Sequence, residues 1–275
     1  MSSSSATIAS FRCLVLAYWK KYGRHDLPWR QTDDPYKILV SEIMLQQTQV
    51  SRVVGKYQEF LALFPTVRVL AKASLSDVLR VWSGLGYNRR ARFLHEAAKS
   101  IVMECGEKVP REYAKLRALP GIGDYTASAV RVFAHNEQDV LVETNVRTVY
   151  LHHALVEKSD LHKRDTKISD TQVREVATLA ARGQDPRTWH WALMDYGAHL
   201  KQSGVRLNAK STHYTKQSRF EGSLRQVRGV ILRELHNGPS LIHHLPFPKD
   251  KIQSALASLA RDELITQDGA KWRVV

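Results

Sequence analysis

Residues 119–128 read LPGIGDYTAS, and this stretch most restricts what the chain can fold into. A proline and two glycines one residue apart interrupt any regular element, and the run behind them is competent to form a helix. Gly121 and Gly123 let the backbone pass close to another backbone or to a phosphate. A helix expected from about Asp124 then offers unsatisfied N–H groups and the positive end of its dipole. Helix, Gly-x-Gly turn and second helix together make a phosphate clamp that reads no base sequence. Taken alone, the same pattern also marks an ordinary tight turn, so the rest of the chain has to decide.

Charge favours the clamp. Lys and Arg number 41 against 27 Asp and Glu, a formal charge of +14 and a pI near 9.8. Such an excess suits a polyanionic partner, nucleic acid before a membrane surface. The two cysteines, Cys13 and Cys105, cannot build a four-cysteine zinc or iron–sulfur site. The histidine pairs His152-His153 and His243-His244 are adjacent in sequence, and neighbouring side chains on a helix diverge, so no metal site is expected. The start, MSSSSATIAS, lacks the basic and apolar regions of a signal peptide and reads as a disordered tail over residues 1–10. No apolar run reaches the roughly 18 residues of a membrane span, and a soluble intracellular protein with reduced thiols is expected.

Helical periodicity dominates up to about residue 204. ASLSDVLRVWSGLGY places Leu75, Val78, Leu79 and Trp82 at helical spacing and stops at Gly84 and Gly86. RRARFLHEAAKSIV repeats the pattern with Leu94, Ala97, Ala98 and Ile101, and DTQVREVATLAARG ends at Gly183. VLVETNVRTVYLHHAL is β-branched at its start but long for a strand, and reads as helix. The expected fold class is mainly α, with one domain over residues 11–204. Residues 205–219 are basic and polar with no apolar period, as in a linker or surface arm. Residues 220–275 give two helices and a terminal hairpin around Asp268-Gly269, the order of a winged-helix-like α+β module.

Several stretches carry a resemblance. LPWR (27–30), DPYKILVSEIMLQQTQV (34–50), FPTVRVLAKASLSDVLRVWSGLGYNRRARFLHEAAK (64–99), LPGIGDYTASAV (119–130), NVRTV (145–149) and ALMDYGA (192–198) run in family order. Over roughly residues 25 to 200 the chain resembles the helix-hairpin-helix DNA glycosylases, and within them the MutY-type adenine glycosylases. The resemblance implies two helical lobes gripping DNA, and removal of mispaired adenine, opposite guanine or 8-oxoguanine, in base excision repair.

That chemistry needs a flipped base, an acid for the leaving base and negative charge facing an oxocarbenium-like sugar. Glu42 lies among Val40, Ile43 and Leu45, an apolar setting that raises a carboxyl pKa and suits a general acid. By resemblance it protonates adenine N7 and then handles the attacking water. The family's second carboxylate lies in an Asp-Gly-Asn-Val pattern, whereas this chain has ETNV, so Glu143 fills that slot with one extra methylene. Asn145 matches directly and holds the acid or the water. Tyr125 fills the slot that carries a Schiff-base lysine in relatives resembling endonuclease III. Tyrosine cannot form that imine, so a monofunctional glycosylase is expected.

The resemblance assigns Trp29, Arg30 and Asp195 to the adenine pocket, with Asp195 accepting from the adenine amino group. It places Gln47, Thr48 and Tyr87 near the partner base, and it adds Arg89, Arg147, Gly121 and Gly123 to the DNA contacts. The hairpin carbonyls are implied to hold one monovalent cation. The family's iron–sulfur cysteines have no counterpart after Cys105, so no cofactor is expected, and HLKQSGVRLNAKSTHYTKQSRF stands in their place with Lys201, Arg206, Lys210 and Lys216 toward DNA. The larger C-terminal domain that reads 8-oxoguanine in the family also has no match in these residues. The expected partner is double-stranded DNA with a mismatch or lesion, bound by a monomer in the cytoplasm or wherever the DNA lies. Two alternatives remain open: a mismatch glycosylase for uracil or thymine opposite guanine, and a DNA-binding module with reduced or no catalysis.

Overall fold

The computed structural model describes residues 5–153, 167–212, 219–242 and 244–275. Helices dominate, as the periodicity predicts. In chain order they are α1 (Ser5–Tyr22), α2 (Pro35–Leu45), α3 (Val50–Leu63), α4 (Val67–Lys72), α5 (Leu75–Trp82), α6 (Arg89–Glu104) and α7 (Tyr113–Ala118). Then come α8 (Asp124–His135), α9 (Thr144–His152), α10 (Asp170–Ala181), α11 (Pro186–Gln202), α12 (Leu224–Leu235) and α13 (Lys249–Arg261). The strands β1 (Ile265–Asp268) and β2 (Lys271–Val274) pair antiparallel, with Ile265 opposite Val274 and Asp268 opposite Lys271.

The starts of many helices are written in local chemistry. Ser74 Oγ accepts from the Asp77 N–H at 3.0 Å, and Asp185 accepts from the Thr188 N–H at 2.9 Å behind Pro186. Ser169 and Gln172 form a reciprocal capping box on α10.

The chain divides into two compact units, and both are discontinuous: residues 1–35 with 123–216, and residues 36–122 with 217–275. In the first, Ile8, Phe11 and Val15 of α1 pack into one core with Val146, Tyr150, Val173 and Trp189. Phe11 meets the Trp189 ring edge-on at 5.9 Å. The disordered tail expected over residues 1–10 is thus corrected from Ser5 onward. The serine run hides an amphipathic start, because Ile8, Phe11 and Val15 recur at helical spacing on one face. Residues 1–4 lie outside the described ones.

Two further expectations shift. The stretch 140–155 is not helical from its start. Val140–Val142 lie outside any helix and pack on the core, where the buried Leu141 gives its N–H to His190 Nε2 at 3.1 Å, and α9 begins only at Thr144. The expected linker is docked over its first half: Ile168 and Ser211 form a parallel bridge, and Asn208 accepts from Arg147 at 2.9 Å. Residues 213–218, with Lys216, lie outside the described ones.

In the second unit α3, α4, α5 and α6 enclose Val53, Phe60, Leu70, Leu79, Trp82, Leu94 and Ile101. The C-terminal module belongs to this unit. Val227, Ile231 and Leu235 of α12 share a buried layer with Ile252, Leu256 and Leu259 of α13, and Ser240 bridges to Trp272 beside the hairpin. Helix, bridge, helix and hairpin give the winged-helix-like order. Among the described residues no helix is long and apolar enough to cross a membrane.

Candidate active site

The residues singled out in the sequence fall into two sets, one in each unit. In the second unit, Glu42 lies on α2 between the buried Val40 and Ile43 and is itself only 8% exposed. Past the end of α2, Gln47 has φ 54°, and across the loop before α6 Tyr87 has φ 47°. Both are left-handed positions held without glycine, which costs on the order of 1 kcal/mol or more each and persists only when neighbours over-determine the backbone.

Arg90 is that neighbour. Its Nη1 donates to the carbonyls of Ile43, Met44 and Gln46 at 2.8, 2.9 and 2.6 Å. Its Nη2 donates to Thr48 Oγ1 at 3.0 Å and to the Gly86 carbonyl at 2.9 Å. One guanidinium therefore closes the C-terminal end of α2 and clamps both loops, and burial pulls its pKa down to about 10. Arg90 is a loop clamp, neither the solvated side chain nor the phosphate contact that its place in an arginine-rich helix start suggests. Arg89 is different: its side chain is exposed and stacks over Phe93, with Asp262 at 3.6 Å.

In the first unit, Glu143 is the N-cap of α9. Its Oε1 accepts from the N–H groups of Asn145 (2.7 Å) and Val146 (3.0 Å), and its Oε2 has no partner among the described residues. The extra methylene is taken up by curling back to cap the helix. Asn145 Oδ1 accepts from Lys201 Nζ at 3.2 Å, which puts Lys201 beside this site within α11 and not in a separate arm. Sequence reading also missed Gly197. A Cβ there would stand 2.3 Å from the Asn145 carbonyl oxygen, so α11 can touch α9 only through a bare backbone. Tyr125 is half-buried on the first turn of α8.

Three placements differ from the sequence-based roles. Asp195 is buried and accepts five hydrogen bonds: from Arg24 N, Nε and Nη2, and from Arg30 Nη1 and Nη2. Burial pushes its carboxyl pKa up, but the hydrogen bonds and charges of Arg30 and Arg24 outweigh burial and hold it below the ordinary value. Its lone pairs are taken, so in this structure it does not offer an acceptor to an adenine amino group. Arg30, over the Trp191 ring at 5.4 Å, and Trp29, 5% exposed, sit in the same buried layer. Arg147 is also buried, paired with Asp170 at 2.7 and 2.9 Å, and therefore ties α9 to α10 instead of facing DNA. Arg24, half-buried in its loop, carried no signal, since a loop arginine has no periodicity to betray its partner.

The hairpin keeps its predicted form. Gly121 has φ 72°, and a Cβ there would lie 2.5 Å from Phe93 Cβ, so the fold itself demands glycine. Gly123 has an extended φ of −87° and open space around it. Gly123 is the N-cap of α8, a position that glycine suits, and its open side leaves room for a close approach. At the turn the Ile122 carbonyl accepts from the Arg117 guanidinium, and the Leu119 carbonyl from the Ile122 N–H at 3.2 Å, which leaves each oxygen a second lone pair for the implied cation. Among the described residues no group of three or more His, Cys, Asp or Glu is set to hold a metal.

Residues 40–178 match the family model described as "HhH-GPD superfamily base excision DNA repair protein". The chain is 35% identical over 278 aligned positions to a protein named adenine DNA glycosylase from Mycolicibacterium smegmatis, covering 92% of each. A Mycobacterium tuberculosis protein of the same name is 45% identical over 135 residues, and the aligned part spans 49% of this chain and 44% of that protein. Among solved structures, a thermostable thymine-DNA glycosylase superposes with a TM-score of 0.61 at 27% identity, covering 72% of this chain and 88% of that one. A trapped endonuclease III–DNA covalent intermediate has the same fold, with a TM-score of 0.60 at 17% identity over 72% of this chain and 88% of its own.

Proposed function

Because this chain belongs to the HhH-GPD superfamily of base excision DNA repair proteins, we propose that it is a monofunctional DNA glycosylase that removes adenine mispaired with guanine or 8-oxoguanine. The observation that carries the reading is the pair of carboxylates in unlike settings. Glu42 is buried on an apolar helix, and Glu143 is oriented by two backbone N–H groups with one oxygen open.

In this reading Glu42 gives its proton to adenine N7 as the bond from C1′ to N9 breaks, and the electron pair leaves with the base. Positive charge on the sugar faces Glu143 Oε2. Water then adds to C1′ and returns a proton to Glu42, leaving an abasic site. Asn145 and Lys201, bonded to each other, stand beside Glu143 and position it and the water. Tyr125 supplies no amine, so the sugar is not captured as an imine and the strand stays intact. The N-terminus of α8 behind Gly121 and Gly123 faces a phosphate with the positive end of its dipole. With two cysteines in its sequence, the enzyme works without a four-cysteine cluster.

The test is a panel of duplexes carrying A, U, T or hypoxanthine opposite each ordinary base and 8-oxoguanine. Adenine opposite guanine or 8-oxoguanine should be excised, with strand breaks only after alkali. Glu42→Gln, which keeps shape but cannot donate the proton, should lose on the order of 10²–10⁴ in rate. Preferred excision of U or T, a high-yield borohydride-trapped adduct, or Glu42→Gln within tenfold of wild type would each overturn a named part of this assignment.

A further inference from the structure

Helix α12 of the C-terminal module forms one wall of a cavity of about 1070 Å³ that is also lined by the two clamped loops carrying Gln47 and Tyr87. That volume is at or above the roughly 300–1,000 Å³ of small-molecule pockets, and suits a stretch of polymer better than one small ligand.

The chemistry of the walls is basic and aromatic. Arg52 from α3, Arg89 from α6, and Arg225 and Arg233 from α12 line it. Its one lining carboxylate, Asp262, is already bound to Arg228 at 2.6 Å. Arg52 and Arg233 are exposed, and neither has a carboxylate partner among the described residues. Phe220, 56% exposed, and Tyr87 each hold their ring centroid 5.6 Å from the Arg225 guanidinium, while Arg225 Nη1 donates to Tyr87 Oη at 2.8 Å. Flat π-faces interleaved with arginines are the surface on which single nucleotides stack and phosphates are neutralised.

We propose that the C-terminal module extends the DNA-contact surface of the Gln47 and Tyr87 loops through this groove, in which Arg52 and Arg233 neutralise backbone phosphates and the Tyr87–Arg225–Phe220 cluster receives an unstacked base. It rests on the DNA reading above and assigns the C-terminal module a direct part in it. The backbone it holds is a phosphodiester strand, and the two strands of a duplex are its two possible sources.

The experiment uses the full chain and a duplex with a tetrahydrofuran abasic analogue opposite guanine. Kd is measured over a salt series for wild type, for Arg52→Gln with Arg233→Gln, and for Phe220→Ala. Each phosphate contact contributes about 0.9 to the slope of log K against log salt, so the double variant should flatten it by about 2. Phe220→Ala should weaken binding about tenfold. Methylphosphonates placed singly along each strand should weaken wild type at a few positions and leave the double variant unaffected there, and the strand showing this is the one held. All three side chains are exposed, and unfolding midpoints confirm that the variants are folded. Equal salt slopes, with methylphosphonate penalties that persist in the double variant, sink the groove. Excision of adenine by wild type reads out the glycosylase assignment separately. Flattened slopes with no excision overturn that assignment and leave the groove, whereas excision with equal slopes does the reverse.

Discussion

Glu143 uses its two oxygens differently. Oε1 caps α9 through two N–H groups, and Oε2 is open. Substitution can therefore separate fold from chemistry. In Glu143→Gln the amide oxygen still accepts from the Asn145 and Val146 N–H groups, so the cap survives and the charge is lost. We expect unfolding free energy within about 0.5 kcal/mol of wild type, and single-turnover excision down by roughly 10²–10³. Glu143→Ala should lose the same activity and a further ~1 kcal/mol of stability through the missing cap. Equal stability of the two variants would show that the cap contributes nothing, and near-normal excision by Glu143→Gln would remove the charge from the mechanism.

At the scale of elements, the site in the first unit is made by the contact of α9 with α11. Gly197 permits that contact, because a Cβ there meets backbone atoms of Asn145 at 2.3 and 2.6 Å, and a carbonyl cannot step aside as a side chain can. Gly197→Ala should push the helices apart, cost about 1–3 kcal/mol and displace Asn145 with its partner Lys201. Urea unfolding gives the first number, and single-turnover excision, expected to fall more than the stability loss explains, gives the second. Wild-type stability with wild-type rate would mean that the helices do not meet as closely as 2.3 Å implies. In the other unit Arg90 plays the matching part, joining the end of α2 to two loops whose left-handed residues need an external hold.

For the molecule as a whole, the buried His190 sets the acid limit of the first unit. It accepts the Leu141 N–H at Nε2, which leaves Nδ1 to donate to the Pro186 carbonyl at 2.8 Å, and burial lowers its pKa to about 4. The folded pKa lies below the ordinary value near 6.5, so the unfolded chain takes up the proton first. Stability is full above about pH 6.5 and falls toward pH 4 by about 1.4 kcal/mol per unit, roughly 3 kcal/mol in all. Asp195, its folded pKa held below the ordinary carboxylate value, loses its contribution only at lower pH still, as pH falls through that folded value. Urea midpoints from pH 8 to pH 4 should be level and then decline below about 6.5. A flat profile down to pH 4.5 would contradict a neutral, buried His190.

What the chain wrote locally was legible without coordinates. Helices α5 and α6, the Gly121 turn into α8 and the terminal hairpin each follow from periodicity or turn chemistry within a dozen or so residues. Glu42, Glu143, Gln47 and Tyr87 could be singled out as candidates because the motifs that carry them are contiguous in sequence. Partnership across sequence was not legible. Asp195 meets Arg24 and Arg30 some 170 residues away, Arg147 meets Asp170 across 23, and Arg225 reaches Tyr87 across 138. An arginine bound for a phosphate and one bound for a buried carboxylate look alike in sequence, because their fate depends on which distant groups packing brings within 3 Å. The same holds for the division into units: residues 1–35 join 123–216, and 217–275 join 36–122, because burial of apolar faces chooses neighbours in space and not along the chain.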